Sequence, residues 1–118
     1  MATTSELVKK IFDPYFEAPL EIWESFSAFL KKSSFTKNEI IKEARRTERS
    51  LNIILEGSAG VFLWKGTSSI CLDLCYDNEF FGDYMSFLTQ EPTELFTQAL
   101  EHTDVLSISY QDLNMLYK

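Results

Sequence analysis

Short β-rich runs separated by turn residues fill the chain between Phe35 and Ser109, and they constrain its fold more than any other feature. Each run is rich in β-branched, aromatic or aliphatic residues, and glycine-containing turns separate several of them. The runs are Phe35, Ile40-Ile41, Leu51–Leu55, Val61–Trp64, Ile70–Leu74, Leu95–Leu100 and Asp104–Ser109. Regularly spaced short strands of this kind are typical of a β-sandwich or jelly roll.

One run shows a clear two-residue period. Apolar and small or charged residues alternate along it, which predicts a half-buried strand with one polar face. The apolar positions are Ile70, Leu72, Leu74 and Tyr76, and the alternate positions are Cys71, Asp73 and Cys75.

Helical patterns flank the β-rich region. Residues 5–12 predict a short helix ended by Asp13-Pro14, and a second helix is predicted from about Pro19 to Lys32. Ser109 is a suitable N-cap for a third helix. We therefore expect one domain over residues 1–118. Its parts are N-terminal helices over 5–32, a jelly roll over 33–109 and the start of a C-terminal helix over 110–118, with no helix-turn-helix.

Composition excludes several classes of protein. A 118-residue chain that is 45% hydrophobic is suited to one folded domain. No apolar run approaches the ~20 residues of a membrane span, and the N-terminus shows no signal-peptide pattern. Cys71 and Cys75 are too far apart along one strand to form a disulfide bond. We expect a reduced cytoplasmic protein that does not contact the membrane.

The charges are strongly segregated. The net charge is −7, and residues 66–117 contain nine Asp or Glu and no Lys or Arg, whereas residues 1–65 contain ten Lys or Arg and nine acids. An acidic second half is a poor surface for DNA phosphates.

The segment Phe80–Leu88 interrupts the strand pattern. Gly82 predicts a tight turn that leads into a short apolar helix, and free amide groups at a helix start favour anions. Irregular parts of rigid β scaffolds commonly carry function. We therefore take this segment as the candidate functional element.

Catalytic and metal-binding patterns are weak. Cys71, Asp73 and Cys75 would spread over ~13 Å of one strand, which is too far for a single tetrahedral metal site with the lone histidine, His102. The serine in the Gly57-Ser58 turn has no base near it in sequence. We expect no metal, no resident cofactor and no enzymatic activity.

One basic cluster stands out in the first half. Arg45-Arg46-Thr47-Glu48-Arg49 contains every arginine of the chain. The cluster is either a solvated loop or a contact to an acidic partner, and that partner includes the chain's own acidic second half.

Three segments together resemble a known family. Leu51–Ser58, Phe80–Asp83 and Asp104–Tyr110 look like the cyclic nucleotide-binding domain of the Crp-Fnr superfamily of bacterial transcription regulators. The similarity covers about residues 15–117, and it implies a mainly β fold with flanking helices. That fold is a double-stranded β-helix, or jelly roll, of the cyclic nucleotide-binding domain type.

The resemblance also implies a phosphate-binding cassette. In the family a Gly-Glu pair begins a short helix. An Arg stands eleven residues after the Gly and is followed by Ser or Thr; the Glu binds the ribose 2′-hydroxyl and the Arg pairs with the cyclic phosphate. Here Gly82 matches, Asp83 stands at the Glu position, Thr93 at the Arg position and Glu94 at the Ser or Thr position. The ligand-pocket candidates are Phe81, Gly82, Asp83, Tyr84, Thr93 and Glu94.

The departures from the motif predict weak cyclic nucleotide binding. A cyclic phosphate would meet Asp83 and Glu94 with no cation nearby in sequence, unless an arginine from residues 1–65 folds over the pocket. Loss of one charge-assisted pair costs about 1.5–3 kcal/mol. Amides at an exposed helix start supply only about 0.3–1 kcal/mol.

The sequence thus predicts the sensory or regulatory domain of a Crp-Fnr-like transcription regulator with a degenerate cassette that does not bind cyclic AMP tightly. The alternatives are a ligand-free protein-interaction module on the same fold and a functional cyclic nucleotide-binding domain. The resemblance implies a small-molecule effector of unknown identity and a homodimer through the C-terminal helix in a longer chain. DNA contact would belong to a domain absent from these residues.

Overall fold

Two four-stranded antiparallel sheets make up the computed structural model, which describes residues 6, 9–10 and 20–116. One sheet has the strand order β1-β8-β3-β6 and the other β2-β7-β4-β5. The strands are β1 Lys31–Phe35, β2 Ile40–Lys42, β3 Ser50–Glu56, β4 Ala59–Lys65, β5 Ser68–Cys75, β6 Phe80–Phe81, β7 Leu95–Ala99 and β8 Thr103–Ser109. This confirms the mainly β jelly roll with flanking helices.

The core lies between the two sheets. Ile54, Phe81 and Val105 come from one sheet, Ala59 and Cys75 come from the other, and all five are buried in one cluster. The apolar residues of consecutive runs therefore meet across the sandwich, where they exclude water from both inner faces.

Three helices are described: α1 Leu20–Ser27, α2 Tyr84–Thr89 and α3 Tyr110–Leu116. α3 begins as predicted, because the backbone N–H of Asp112 donates to Ser109 Oγ at 3.1 Å and Ser109 thereby caps the helix. No helix in the described ranges has the length and apolar character needed to cross a membrane.

The predicted extent of the second helix is wrong at its end. α1 ends at Ser27. A turn follows, in which the backbone N–H of Leu30 donates to the Ser27 carbonyl. Lys31 and Lys32 belong to β1 instead, because that strand pairs along its whole length with β8. Glu6, Lys9 and Lys10 are helical, and the rest of the helix predicted over residues 5–12 lies outside the described residues.

The prediction for β5 is also wrong, because its apolar positions are not buried. Exposure is 42% for Ile70, 55% for Leu72, 46% for Leu74 and 54% for Tyr76. β5 is the edge strand of its sheet, and its pairing with β4 shifts at Leu72, which has no partner there. This β-bulge breaks the two-residue period, so the apolar residues do not share one inward face.

Candidate functional site

The candidate site begins where β6 ends and the chain turns into α2. Phe81 is fully buried in the core and anchors the turn. Gly82 has φ +142°, a conformation that side chains disfavour. A Cβ at Gly82 would lie 3.2 Å from Glu48 Oε2, so the glycine also allows a buried carboxylate to approach the backbone.

Asp83 caps α2 with its own carboxylate. Its Oδ1 accepts a hydrogen bond from the backbone N–H of Ser86 at 3.2 Å, and its side chain is only 1% exposed. The amide end of the helix, where an external anion would bind, therefore already has a negative charge supplied by the chain.

A buried lysine reaches this carboxylate from β2. Lys42 Nζ lies 3.1 Å from Asp83 Oδ2, and the lysine side chain is 4% exposed. The same nitrogen donates to Thr93 Oγ1 at 3.1 Å and to the Leu95 carbonyl at 2.8 Å. An ammonium has three hydrogens, so all of its donors are used within the protein.

The expectation that no cation lies near the cassette is therefore wrong. β2 pairs with β7, and this pairing brings Lys42 to the end of the loop that contains Thr93. Thr93 also donates its hydroxyl hydrogen to Asp83 Oδ2, so Lys42, Asp83 and Thr93 form one closed network. The cation comes from a lysine on a distant strand and not from an arginine.

Glu48 is a second buried carboxyl at the same place. The backbone N–H of Asp83 donates to Glu48 Oε2 at 3.4 Å. Burial raises the pKa of Glu48 above its ordinary value, because a carboxylate loses hydration there. Backbone hydrogen bonds and the charge of Lys42 oppose this rise in pKa only in part.

The connection between β2 and β3 is fastened to α2. The backbone N–H of Glu48 donates to Ser86 Oγ at 2.8 Å, and the side-chain amide of Gln90 donates to the Glu48 carbonyl at 3.0 Å. Ser86 is fully buried, and its hydroxyl group donates a hydrogen bond to the Glu91 carbonyl. These bonds hold Glu48 against the first turn of α2.

Two of the candidate residues lie at the surface. Tyr84 is exposed, and Glu94 forms an exposed ion pair with Arg45, in which Arg45 Nε and Glu94 Oε2 are 3.3 Å apart. The arginine connection thus contacts the chain's own acidic second half, which is one of the alternatives that the sequence left open. Such a solvated pair contributes little to stability.

Gly82, Asp83 and Thr93 are therefore brought together, while Phe81 belongs to the core and Tyr84 and Glu94 lie outside the network. Sequence reasoning missed Lys42, Glu48 and Ser86 as members of the site. No local pattern marks Lys42, because only the β2–β7 pairing brings it to Asp83.

The site also contacts α3. The rings of Phe87 on α2 and Tyr110 on α3 meet edge to face, with centroids 5.6 Å apart. The backbone N–H of Tyr110 donates to the Arg49 carbonyl at 2.9 Å. A displacement of α2 or of the β2–β3 connection would therefore act directly on the first turn of α3.

Comparison with known proteins identifies a family for most of the chain. The family model described as the cyclic nucleotide-binding domain matches residues 32–118. No curated protein shows significant similarity to the sequence.

Solved structures of similar fold come from bacteria and from a parasite. The regulatory domain of Toxoplasma gondii PKA, co-crystallised with cAMP, has a TM-score of 0.81 at 18% identity, over 97% of this chain and 44% of its own. The sensor domain of the transcriptional regulator DNR from Pseudomonas aeruginosa has a TM-score of 0.79 at 11% identity, over 96% and 75% respectively. The Thermus thermophilus catabolite activator protein has a TM-score of 0.76 at 21% identity, over 90% and 48%. The chain thus spans less than half the length of the first and third of these structures.

Proposed function

The chain belongs to the cyclic nucleotide-binding domain family, and we propose that it is the sensory or regulatory domain of a Crp-Fnr-like transcription regulator whose cassette does not bind cyclic AMP tightly. The similar folds of the DNR sensor domain and the catabolite activator protein support the regulatory part of this proposal. The buried network of Lys42, Asp83 and Thr93 supports the part that concerns the ligand.

The saturated ammonium of Lys42 is the observation that carries the proposal. A cyclic phosphate could use this cation only by displacing Asp83, Thr93 or Leu95 from it. Separating a buried ion pair costs about 3–5 kcal/mol. A new charge-assisted hydrogen bond returns about 1.5–3 kcal/mol. The internal arrangement is therefore favoured over the bound one.

The regulatory part follows from the contacts between α2 and α3. Because Phe87 meets Tyr110, a change at the cassette reaches the helix that in Crp-Fnr regulators leads to the DNA-binding domain. We propose a homodimer formed through an extension of this helix, with DNA bound by residues outside the 118. We assign no catalytic role, and we propose a cytoplasmic location, which the two free cysteines support.

Thermal unfolding with cyclic AMP and cyclic GMP tests the ligand part. A ligand present at 100 times its Kd stabilises a protein by about 2.7 kcal/mol. We expect no shift in Tm up to millimolar nucleotide, while the Toxoplasma gondii PKA domain, as positive control, shifts clearly. A saturable rise in the Tm of the wild-type chain would show that the cassette is a functional nucleotide site and would overturn the proposal.

A ligand-free interaction module is the second candidate, and the surface of β5 favours it. Leu72, Leu74 and Tyr76 are exposed, and so is Trp64 on β4, which pairs with Ser69 at the start of β5 and is 54% exposed. An apolar surface of this kind commonly marks a protein contact. Two results together would favour the second candidate over the first. One is that no metabolite changes the Tm in a broad screen, and the other is that substitutions on this surface abolish binding to a protein partner of the chain.

A further inference from the structure

A cavity of about 310 Å³ opens beside the connection between β2 and β3, next to the closed network of the cassette. Arg46 and Arg49 line it, together with the hydroxyl-bearing residues Thr47 and Ser50. Its volume lies at the lower end of the range for small-molecule sites, about 300–1,000 Å³.

The two arginines of this cavity differ from the third arginine of the chain. Arg45 is paired with Glu94. Within the described residues the structure gives the guanidinium groups of Arg46 and Arg49 neither an ion pair nor a hydrogen bond. Their donors are therefore available to a ligand.

The cavity concentrates arginines on an otherwise acidic protein. Its charged lining residues are Lys42, Glu43, Arg46, Glu48 and Arg49. Lys42 is paired with Asp83, so the two arginines balance the two carboxyl groups in formal charge, whereas the whole chain has a net charge of −7. Glu48 hydrogen-bonds with the backbone of Asp83.

We propose that this cavity binds a small phosphate-bearing ligand, with Arg46 and Arg49 as its phosphate contacts. Guanidinium groups match phosphate oxygens with paired hydrogen bonds, and the hydroxyls of Thr47 and Ser50 add donors at the same cavity. Gly82, Asp83 and Thr93 do not line the cavity, although it shares Lys42 and Glu48 with the candidate site. The proposal does not depend on whether cyclic AMP binds in the cassette.

The location gives the site a route to the rest of the protein. The Arg49 carbonyl accepts the Tyr110 N–H at the start of α3, and the neighbouring Glu48 is bonded to α2. A ligand held by Arg49 would therefore stabilise the segment that joins the cassette helix to the C-terminal helix.

Titration with pyrophosphate and with inorganic phosphate at constant ionic strength, followed by amide NMR shifts of the full chain, tests the proposal. We expect saturable shifts for residues 46–50. The variant R46Q/R49Q should weaken binding about tenfold or more, which corresponds to about 1.4 kcal/mol or more. R46Q alone should also weaken binding. R45Q is the matched control for R46Q, since each removes one arginine from the same connection but Arg45 does not line the cavity, and it should keep the wild-type affinity.

Three results would overturn the proposal. One is that the amide NMR shifts do not saturate with either anion up to about 10–20 mM, concentrations at which a Kd of ~mM is measurable. A second is equal weakening by the single variants R45Q and R46Q, which would indicate general charge attraction. A third is a set of shifts centred on Gly82–Ser86, which would place the anion in the cassette. Arg46 and Arg49 are exposed, so an unchanged Tm verifies that R46Q/R49Q is folded.

Discussion

Lys42 is the single residue whose removal should have the largest effect on the site. The substitution Lys42→Met keeps most of the side-chain volume but removes the charge that balances the buried carboxylate of Asp83. Breaking a buried pair by removing one partner costs about 3–5 kcal/mol of unfolding free energy. Urea denaturation measures this loss, and Lys65→Met, at an exposed position, should leave stability nearly unchanged.

A double substitution separates the ion pair from simple packing. Asp83→Asn keeps a side chain able to cap α2 but removes the negative charge. We expect K42M/D83N to be more stable than K42M alone, because no uncompensated charge remains at that pair. If the two destabilisations simply add, the coupling inferred from the 3.1 Å contact between Lys42 and Asp83 is absent.

Glu48 should make stability depend on pH in an unusual direction. Its pKa is raised on folding from an ordinary value of 4.5, so the folded chain binds more protons than the unfolded chain above that pH. The free energy of unfolding contributed by this group therefore falls as the pH rises from about 4.5 through the raised pKa. In Glu48→Gln this contribution is absent.

Urea denaturation from pH 4.5 to 8 for wild type and E48Q checks the expectation. The stability of the wild type relative to E48Q should decrease as the pH rises from about 4.5 and become constant above the raised pKa, since other titrations cancel in the difference. A constant difference across this range would show that Glu48 is not perturbed by burial.

At the residue scale the sequence identified two of the three members of the closed network. Asp83 and Thr93 follow, together with Gly82, a spacing that is visible in one segment. Lys42 lies 41 residues before Asp83, and only the pairing of β2 with β7 shows that the two meet. Local pattern therefore could not reveal the cation, because the contact depends on the three-dimensional arrangement.

The turn between β6 and α2 is the element on which the site depends. Gly82→Ala would impose a side chain at φ +142° and place its methyl group 3.2 Å from Glu48 Oε2. A disfavoured backbone conformation of this kind costs about 1–3 kcal/mol. We expect a loss of this size in thermal or urea unfolding.

Gly66→Ala is the matched control for this turn. Gly66 also has positive φ, at +66°, but a Cβ there would meet nothing within 4 Å. Both variants carry backbone strain, and only G82A adds the contact with Glu48. Equal losses in G66A and G82A would mean that the approach of Glu48 to Gly82 does not contribute.

Element boundaries were predictable where local chemistry set them. Ser109 begins α3 through a hydrogen bond within three residues, and the sequence identified it. The end of α1 was not predictable in this way, because Lys31 and Lys32 suit a helix end but pair with β8. The faces of β5 were predicted wrongly because an unpaired residue, Leu72, interrupts the two-residue period.

On the scale of the whole molecule, β5 leaves an apolar surface in contact with water. Leu72 and Leu74 are exposed, so L72S/L74S should change the unfolding free energy by only about 0.5 kcal/mol or less. We expect the same variant to reduce self-association at high protein concentration, as measured by sedimentation. Ile54→Ala, at a fully buried position, should by contrast cost about 2–5 kcal/mol.

Two outcomes would contradict this assignment. A loss of stability in L72S/L74S comparable with that of I54A would mean that β5 is packed against other parts of the chain. Unchanged self-association would mean that this surface does not mediate contacts between copies of the chain. The jelly roll itself was predictable from the regular strand runs, whereas the exposure of β5 follows from its place at the edge of a sheet.

The closed network around Lys42 should also make tight cyclic nucleotide binding difficult to introduce by a single substitution. An arginine introduced by Thr93→Arg would meet the Lys42 ammonium, which now lies 3.1 Å from Thr93 Oγ1. We expect T93R alone to remain without measurable cyclic AMP affinity in calorimetry, and K42V/T93R/E94S to acquire some. Cyclic AMP binding by T93R alone would show that the introduced arginine can displace the Lys42 side chain. If T93R does not bind, a nucleotide site in this cassette requires changes at Lys42 and Thr93 together, because both side chains contact the Asp83 carboxylate.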